Sequence, residues 1–175
     1  NTDTVEYIVE ACPNPGCDAP FGFGASVEEG NEFTIRVSVM DSRTDGVSDA
    51  EAGVYAAYVD MLYDADFLRV VPNSLVNSSI FPDITSGKDS IPGIIDEAGG
   101  VQDGVDQTTF DRGRSAMSVF EVRVEAIVTT NGEQTFLRTD PANASPLHDT
   151  VVIAPSPASI PALDIKYGFT ALQIT

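Results

Sequence analysis

Closely spaced carboxylates occupy a polar segment between two apolar stretches of the chain. They are Asp41, Asp45, Asp49 and Glu51, and Gly46 lies among them. Oxygen ligands separated by two to four residues around a glycine form an arrangement that calcium accepts. The spacing does not match an EF-hand, in which ligands at positions 1, 3 and 5 precede a late glutamate. The segment is either a calcium-binding loop or an exposed turn with solvated acids.

A second group of carboxylates follows in the longest stretch without a regular pattern, residues 73–111. Its members are Asp96, Glu97, Asp103, Asp106 and Asp111. A calcium ion bound there would neutralise their repulsion and make a long loop more rigid. The alternative is again a set of solvated loop acids. We therefore expect calcium or no cofactor.

The single histidine, His148, is the starting point for any catalytic hypothesis. It lies in a Pro-Leu-His-Asp segment, and no Gly-x-Ser-x-Gly motif occurs in the chain. We expect a structural histidine that pairs with Asp149 or with a backbone carbonyl. A glycosidase would need two carboxylates about 5 to 9 Å apart in a cleft, and the many acids here single out no pair. We therefore predict that the protein is not an enzyme.

Sugar binding would call for exposed aromatic side chains, and the chain has no Trp. The aromatic residues that remain possible for this role are Phe21, Phe23, Tyr55, Tyr58 and Tyr63. Strand alternation directs some of the tyrosines into the core. A carbohydrate-binding role is therefore kept as an alternative.

The two cysteines stand in Cys12-Pro-Asn-Pro-Gly-Cys17. The prolines and the glycine favour a tight turn that brings the sulfur atoms together. A zinc site would need a second pair of ligands, and His148 is the only histidine. We predict a disulfide between Cys12 and Cys17, which points to an oxidising, extracellular setting.

The charge of the chain limits its partners. It has 27 acidic and 9 basic residues among 175, for a net charge of −18. Nucleic acids and anionic lipid surfaces would be repelled. No apolar run approaches the roughly 20 residues that span a bilayer. Because the chain begins at Asn1 without a signal peptide, we interpret it as a processed chain or a segment of a longer protein.

Alternating apolar residues predict β-strands throughout. Residues 32–40 place Phe33, Ile35, Val37 and Val39 on one face. Residues 53–63 are apolar on both faces, as in a central strand. The longest alternating run is 116–130, and Asn131-Gly132 then predicts a type I′ hairpin.

Further strands are predicted in short segments that are separated by turn residues, at 67–71, 134–138 and 148–153. The first and last strands, 4–10 and 169–174, are interpreted as sheet edges. The whole pattern predicts a single all-β domain over residues 1–175. Its architecture is a two-sheet antiparallel β-sandwich with jelly-roll-like topology and about nine or ten strands.

Several segments resemble cohesin modules of large bacterial surface proteins. Residues 27–37 and 53–70 are similar to the first half of such a module, and residues 139–142, 145–149 and 165–172 are similar to its end. The resemblance implies a jelly-roll sandwich of the superfamily that also holds carbohydrate-binding modules. It also implies a non-catalytic, extracellular role, in which one sheet face binds a dockerin.

We therefore predict a secreted or cell-surface recognition and assembly module that binds a protein of the dockerin type and is stabilised by calcium. The first alternative is a structural subunit or spacer whose edge strands pair with neighbouring copies. The second is a carbohydrate-binding module that binds polysaccharide. The acidic segment 41–51 and the long middle stretch depart from a compact cohesin.

Overall fold

The computed structural model describes residues 5–44, 46–103, 114–143, 148–153 and 156–175. No helix in these residues is long and apolar enough to cross a membrane. In chain order the strands are β1 (Val5–Cys12), β2 (Ala25–Val27), β3 (Glu32–Asp41), β4 (Val54–Tyr63), β5 (Leu68–Val70), β6 (Val76–Asn77), β7 (Asp83–Lys88), β8 (Ile94–Val101), β9 (Met117–Ala126), β10 (Thr135–Pro141), β11 (Val151–Val152), β12 (Ala158–Ser159), β13 (Ile165–Tyr167) and β14 (Phe169–Ile174).

These strands form two packed sheets, so the predicted all-β sandwich is confirmed. The six-stranded sheet has the order β13-β1-β3-β9-β5, and β6 also pairs with β9. The eight-stranded sheet has the order β12-β11-β4-β10-β14-β2. In it, β10 and β11 pair with one edge of β4, β8 pairs with the opposite edge, and β7 pairs with β8. The strand count exceeds the predicted nine or ten because several predicted loops contain strands of two or three residues.

Two pairings are parallel, where the sequence predicted an antiparallel sandwich. β13 runs parallel to β1 in one sheet, and β14 runs parallel to β2 in the other. The two ends of the chain thus pass together from the six-stranded sheet to the eight-stranded sheet. This arrangement gives each end of the chain a neighbour in both layers.

The core lies between the sheets and follows the predicted alternation. Phe33 is 2% exposed, and Ile35, Val37 and Val39 of the same face are fully buried. Burial of one such side chain contributes about 1.5–3 kcal/mol. The predicted central strand is also confirmed, because β4 pairs with β8 on one side and with β10 and β11 on the other.

Both predicted edge strands lie inside their sheets, so that prediction is wrong. β1 pairs with β3 along its whole length and with β13 along Val5–Tyr7. β14 pairs with β10 and with β2. The alternation that identified these strands reports burial of a face and carries no information about how many neighbours a strand has.

The predicted hairpin at Asn131-Gly132 is also wrong, although the turn itself is present. Both residues have positive φ, 52° and 89°, as a type I′ turn requires. The strands on either side, β9 and β10, belong to different sheets. The turn therefore carries the chain from one layer of the sandwich to the other.

Candidate functional site

The candidate site is the outer face of the eight-stranded sheet, which is the face turned away from the six-stranded sheet. On β4, Val59 and Met61 belong to the core, so the alternating Asp60 and Leu62 lie on the outer face. On β10, Leu137 belongs to the core. Its neighbours along the strand therefore also lie on the outer face.

The strand register brings these outer residues into rows. Leu62 is paired with Arg138, and Asp60 is paired with Asp140. Arg138 is in turn paired with Phe169 of β14. One end of the outer face is therefore apolar and the other end is acidic.

Three phenylalanines form the apolar end, which we name the phenylalanine patch. Phe23, Phe136 and Phe169 are 63%, 49% and 59% exposed. The ring centroids of Phe23 and Phe169 are 6.0 Å apart, and those of Phe136 and Phe169 are 6.3 Å apart. The backbone N–H of Gly24 donates to Ala171 on β14, which holds the loop that carries Phe23 against the sheet. Large exposed apolar groups in contact with one another are uncommon on a surface with no binding role.

Arg138 adjoins this patch and differs from the other basic residues. Within the described ranges it is the one basic side chain without a carboxylate partner. Ion pairs to Asp or Glu are made by Arg36, Arg43, Arg69, Lys88, Arg114, Arg123 and Lys166. In a chain with three times as many acids as bases, an exposed and unpaired guanidinium is notable.

A cavity of about 330 Å³ opens beside the patch and is lined by Leu62, Gln134, Phe136 and Arg138. Asp64 also lines it, and its carboxylate accepts a hydrogen bond from the backbone N–H of Asp66. The cavity gives the outer face a concave feature next to its unpaired cation.

The acidic end is built around a β-bulge. Val59 is paired with Ala98 and Met61 with Ile95, so that two residues of β8 face Asp60 alone. One of these two, Glu97, has a φ of 50°. Its backbone N–H donates to Oδ1 of Asp60 at 2.7 Å.

Asp60 is 4% exposed, and an ionised carboxylate is unfavourable at a buried position. Burial raises the pKa of its carboxyl to about 6, and the nearby charges of Asp96, Glu97 and Asp140 add to the rise. The hydrogen bond from the Glu97 backbone opposes the rise without cancelling it.

His148 packs on the acidic end and contacts a residue that the sequence did not predict as its partner. Its Nδ1 contacts Oε2 of Glu97, in place of the expected Asp149 or backbone carbonyl. The imidazole stacks on Tyr58 with ring centroids 4.4 Å apart. The hydroxyl of Tyr58 donates to the carbonyl of Ile84 at 2.6 Å, so this ring spans β8 to reach β7. Among the described residues, no serine, threonine or cysteine side chain is hydrogen-bonded to the imidazole, so no triad of that kind forms there.

The carboxylates of the predicted calcium loop are held by protein donors. Asp41 is fully buried and accepts hydrogen bonds from the Arg43 guanidinium at 2.6 and 2.9 Å and from the Gly53 backbone at 2.7 Å. Burial alone would raise the pKa of Asp41, but these hydrogen bonds outweigh it and hold the pKa below its usual value. Asp49 pairs with Arg114 at 2.6 Å, and Glu51 accepts from the Ser48 hydroxyl.

The described members of the second predicted group each have their own surroundings. Asp96 lies 4.0 Å from Lys88, Glu97 contacts His148, and Asp103 is exposed. Asp45 and Asp106 of the two groups lie outside the described residues, as does Asp111. Across the described ranges, no three His, Cys, Asp or Glu side chains are grouped so that they could hold a metal ion. Calcium binding stays a prediction.

The structure contains the predicted disulfide between Cys12 and Cys17, whose Cα atoms are 5.2 Å apart. Both cysteines are buried, at 0% and 2% exposure. The loop between them is anchored at Gly16, whose N–H donates to Glu121 and whose carbonyl accepts from Arg36. These hydrogen bonds hold the loop that the disulfide closes against Arg36 and Glu121 of the six-stranded sheet.

A separate cavity of about 500 Å³ lies beside β5 and the segment that precedes β8. Its lining includes Tyr63, Leu68, Val70, Pro92 and Ile127 and is mainly apolar. Its polar lining residues include Asp89 and Ser90, and no hydrogen bond between described residues joins these two side chains. We therefore place the candidate site on the outer face.

The sequence did not single out Phe136, Phe169, Arg138 or Asp60. Of the aromatic residues that it did suggest for sugar binding, Tyr58 and Tyr63 are buried and Phe23 is exposed. The missed signal is a large apolar residue at an outward position of a strand, as Phe136 is between the inward Thr135 and Leu137.

Comparison with known proteins identifies the architecture. No family model matches the chain, and no curated protein sequence matches it. Solved structures do match: the seventh ScaB type I cohesin from Pseudobacteroides cellulosolvens is 14% identical, with a TM-score of 0.59 over 98% of this chain and 92% of that chain.

Two further cohesins are similar. The OlpA cohesin of Clostridium thermocellum, solved in complex with a dockerin, is 13% identical with a TM-score of 0.58, covering 98% of this chain and 99% of that chain. The CaCohA2 cohesin of Clostridium acetobutylicum is 16% identical with a TM-score of 0.56, covering 100% of this chain and 93% of that chain. Identities this low concern the fold alone. The predicted resemblance is confirmed at that level: this chain has a cohesin-like fold.

Proposed function

We propose that this chain is a non-catalytic, extracellular recognition and assembly module that binds a protein partner of the dockerin type through the outer face of its eight-stranded sheet. The observation that carries the proposal is the phenylalanine patch, with Arg138 beside it. Cohesins of the same fold from Clostridium thermocellum and Clostridium acetobutylicum have been solved in complexes with dockerins, which supports a protein partner.

The composition of the patch supports a protein interface on physical grounds. The most important residues of protein interfaces are aromatic residues and arginine, grouped near the centre. Covering one exposed Phe side chain removes apolar surface from water and contributes up to about 3 kcal/mol. Three such rings, with one guanidinium next to Phe136 and Phe169, would supply much of the binding free energy of a small module.

Polysaccharide is the second candidate partner, because exposed rings can also stack on sugars. The inclination of the three rings favours a protein partner over a polysaccharide. The ring planes of Phe23 and Phe169 are inclined by 81°, and those of Phe136 and Phe169 by 48°. A sugar chain that stacks on successive rings needs faces that share a plane, whereas the side chains of a protein partner can fill the angles between inclined rings.

An extracellular location is part of the proposal. The disulfide between Cys12 and Cys17 supports it, since disulfides form and persist in oxidising compartments. The cohesin-like fold gives the same indication by analogy.

Calcium binding is proposed on the acidic composition of the loops alone. Thermal unfolding in calcium, in magnesium and in chelator at one ionic strength tests it. A ligand at about 100 times its dissociation constant stabilises the folded state by roughly 2.7 kcal/mol. A midpoint that rises by several degrees in calcium alone supports the proposal, and equal midpoints contradict it.

The partner class is tested by probing arrays of calcium-loaded dockerin modules and of insoluble polysaccharides with the labelled chain, and by measuring its molar mass over a range of concentrations. We expect retention on one or more dockerins. Retention on polysaccharide alone would support the carbohydrate-binding alternative, and a mass that rises with concentration would support the spacer alternative.

A further inference from the structure

We infer that the partner presents a carboxylate flanked by apolar side chains, and that this carboxylate pairs with Arg138 while its apolar neighbours cover the phenylalanine patch. The inference rests on the proposed function and adds the chemistry of the partner.

The immediate neighbours of Arg138 leave its guanidinium without a carboxylate. Leu62 is its register partner on one side and Phe169 on the other, so its lateral neighbours on the outer face are apolar. Asp140 lies two residues further along β10 on the same face, at a strand distance of about 6.6 Å. In the described part of the chain neither Asp140 nor any other acid forms an ion pair with Arg138.

The excess of acids in the chain makes an unpaired basic side chain unusual. With 27 acids available, each of the other described basic side chains pairs with a carboxylate. The guanidinium that remains unpaired is paired in register with Phe169 and lines a cavity of about 330 Å³ together with Phe136. Arginine binds carboxylates in a bidentate geometry, and such a pair is stronger where apolar groups exclude water.

The charges on the outer face differ between its two ends. A cation on the partner would be repelled by Arg138 and attracted to Asp60, Asp96 and Asp140 at the other end of the face, although Asp64, which lines the cavity beside Arg138, would also attract it. A carboxylate would be attracted to Arg138 and repelled by those acids. The face therefore distinguishes the two ends of a partner and favours one orientation.

The first test needs no known partner and uses two matched probes, hydrocinnamate and phenethylamine. Each carries a phenyl ring on a two-carbon linker, with a carboxylate in one and an ammonium in the other. We expect hydrocinnamate to shift the backbone amide resonances of Phe136, Arg138 and Phe169, and phenethylamine to shift them less. The net charge of −18 favours the amine everywhere else on the surface, so a preference for the acid at this place is a demanding result.

The control variant is Arg138→Gln, which keeps a polar side chain and removes the charge. We expect the response to hydrocinnamate to disappear in R138Q, while the thermal midpoint stays at the wild-type value. Equal or larger shifts with phenethylamine at these amides, or an unchanged response to hydrocinnamate in R138Q, would overturn the inference.

The second test uses a dockerin that the array identifies. Loss of a charged hydrogen-bonded pair should weaken binding by about tenfold or more in R138Q, and further in Arg138→Glu because two carboxylates then face each other. Arg138→Lys should restore part of the affinity. If Phe136→Ala weakens binding and R138Q does not, the inference is wrong and the proposed function stands. If neither variant weakens binding, both are wrong.

Discussion

Asp60 and Glu97 are joined by a hydrogen bond of 2.7 Å from the backbone N–H of Glu97 to the carboxylate of Asp60. The bond spans the bulge between β4 and β8 and places two buried acids side by side on the outer face. The protein tolerates a carboxylate there whose pKa is raised by burial and by neighbouring charges. A perturbed carboxyl of this kind marks a candidate functional position.

Replacement of Asp60 should make the protein more stable at neutral pH. Asp60→Asn keeps an acceptor for the Glu97 N–H and removes the charge. Because the folded-state pKa of about 6 lies above the unfolded value of 3.8, the wild type is penalised above pH 6 and gains stability as the pH falls from 6 to 4. After allowance for solvent screening, we expect D60N to gain on the order of 1 kcal/mol at pH 8.

Urea unfolding at pH 8 and at pH 4 measures this effect. The advantage of D60N should be present at pH 8 and nearly absent at pH 4, where the wild-type carboxyl is protonated when folded. A difference that does not change between these two pH values would contradict the assignment.

The buried pair of Asp41 and Arg43 should be a major source of stability for the loop that follows β3. Asp41→Ala leaves the Gly53 N–H without its acceptor and removes the buried carboxylate that pairs with Arg43, whose side chain is 12% exposed. Removal of one partner of a buried ion pair costs about 3–5 kcal/mol, and the partial exposure of Arg43 places the expected loss near the lower figure.

The matched control is Asp49→Ala, because Asp49 also pairs with an arginine but is 87% exposed. Its loss should change the free energy of unfolding by at most about 1 kcal/mol. Equal losses in D41A and D49A, measured by urea unfolding, would show that burial of Asp41 contributes nothing.

Gly99 on β8 should be intolerant of any side chain. Its φ is 152°, and a Cβ atom there would lie 1.9 Å from the carbonyl oxygen of Ala57 on the neighbouring strand. Gly99→Ala should therefore destabilise the fold by more than about 2 kcal/mol, because backbone must move on a central pair of strands. Gly22→Ala, at a site with nothing within 4 Å, is the control and should leave the thermal midpoint nearly unchanged. A G99A variant as stable as wild type would contradict this packing.

The predictable part of this fold is the part that alternation determines. The inward face of β3, from Phe33 to Val39, and the central position of β4 follow from residue pattern, since burial of one or both faces dictates the type of residue. The turn at Asn131-Gly132 was also recognisable locally, because these two residue types favour the positive φ angles of a type I′ turn. Its role in changing sheets depends on the distant partners of β9 and β10.

The candidate site was less predictable because it depends on register. Glu97 and His148 are 51 residues apart in sequence, and Asp41 and Gly53 are 12 apart. No local pattern reports which strands lie beside each other. Phe136 could have been noticed as an apolar residue at an outward position, but its contact with Phe169 requires the pairing of β10 with β14.

Calorimetric titration of a dockerin partner into the wild-type chain and into Phe136→Ala and Phe169→Ala tests the central claim most directly. Leu163→Ala serves as the control, because Leu163 is 95% exposed on the turn Ala162–Asp164. Loss of a central aromatic contact costs about 2 kcal/mol, so each Phe variant should bind roughly thirtyfold more weakly, with L163A at wild-type affinity. Wild-type affinity in both Phe variants would show that the phenylalanine patch is not the binding surface.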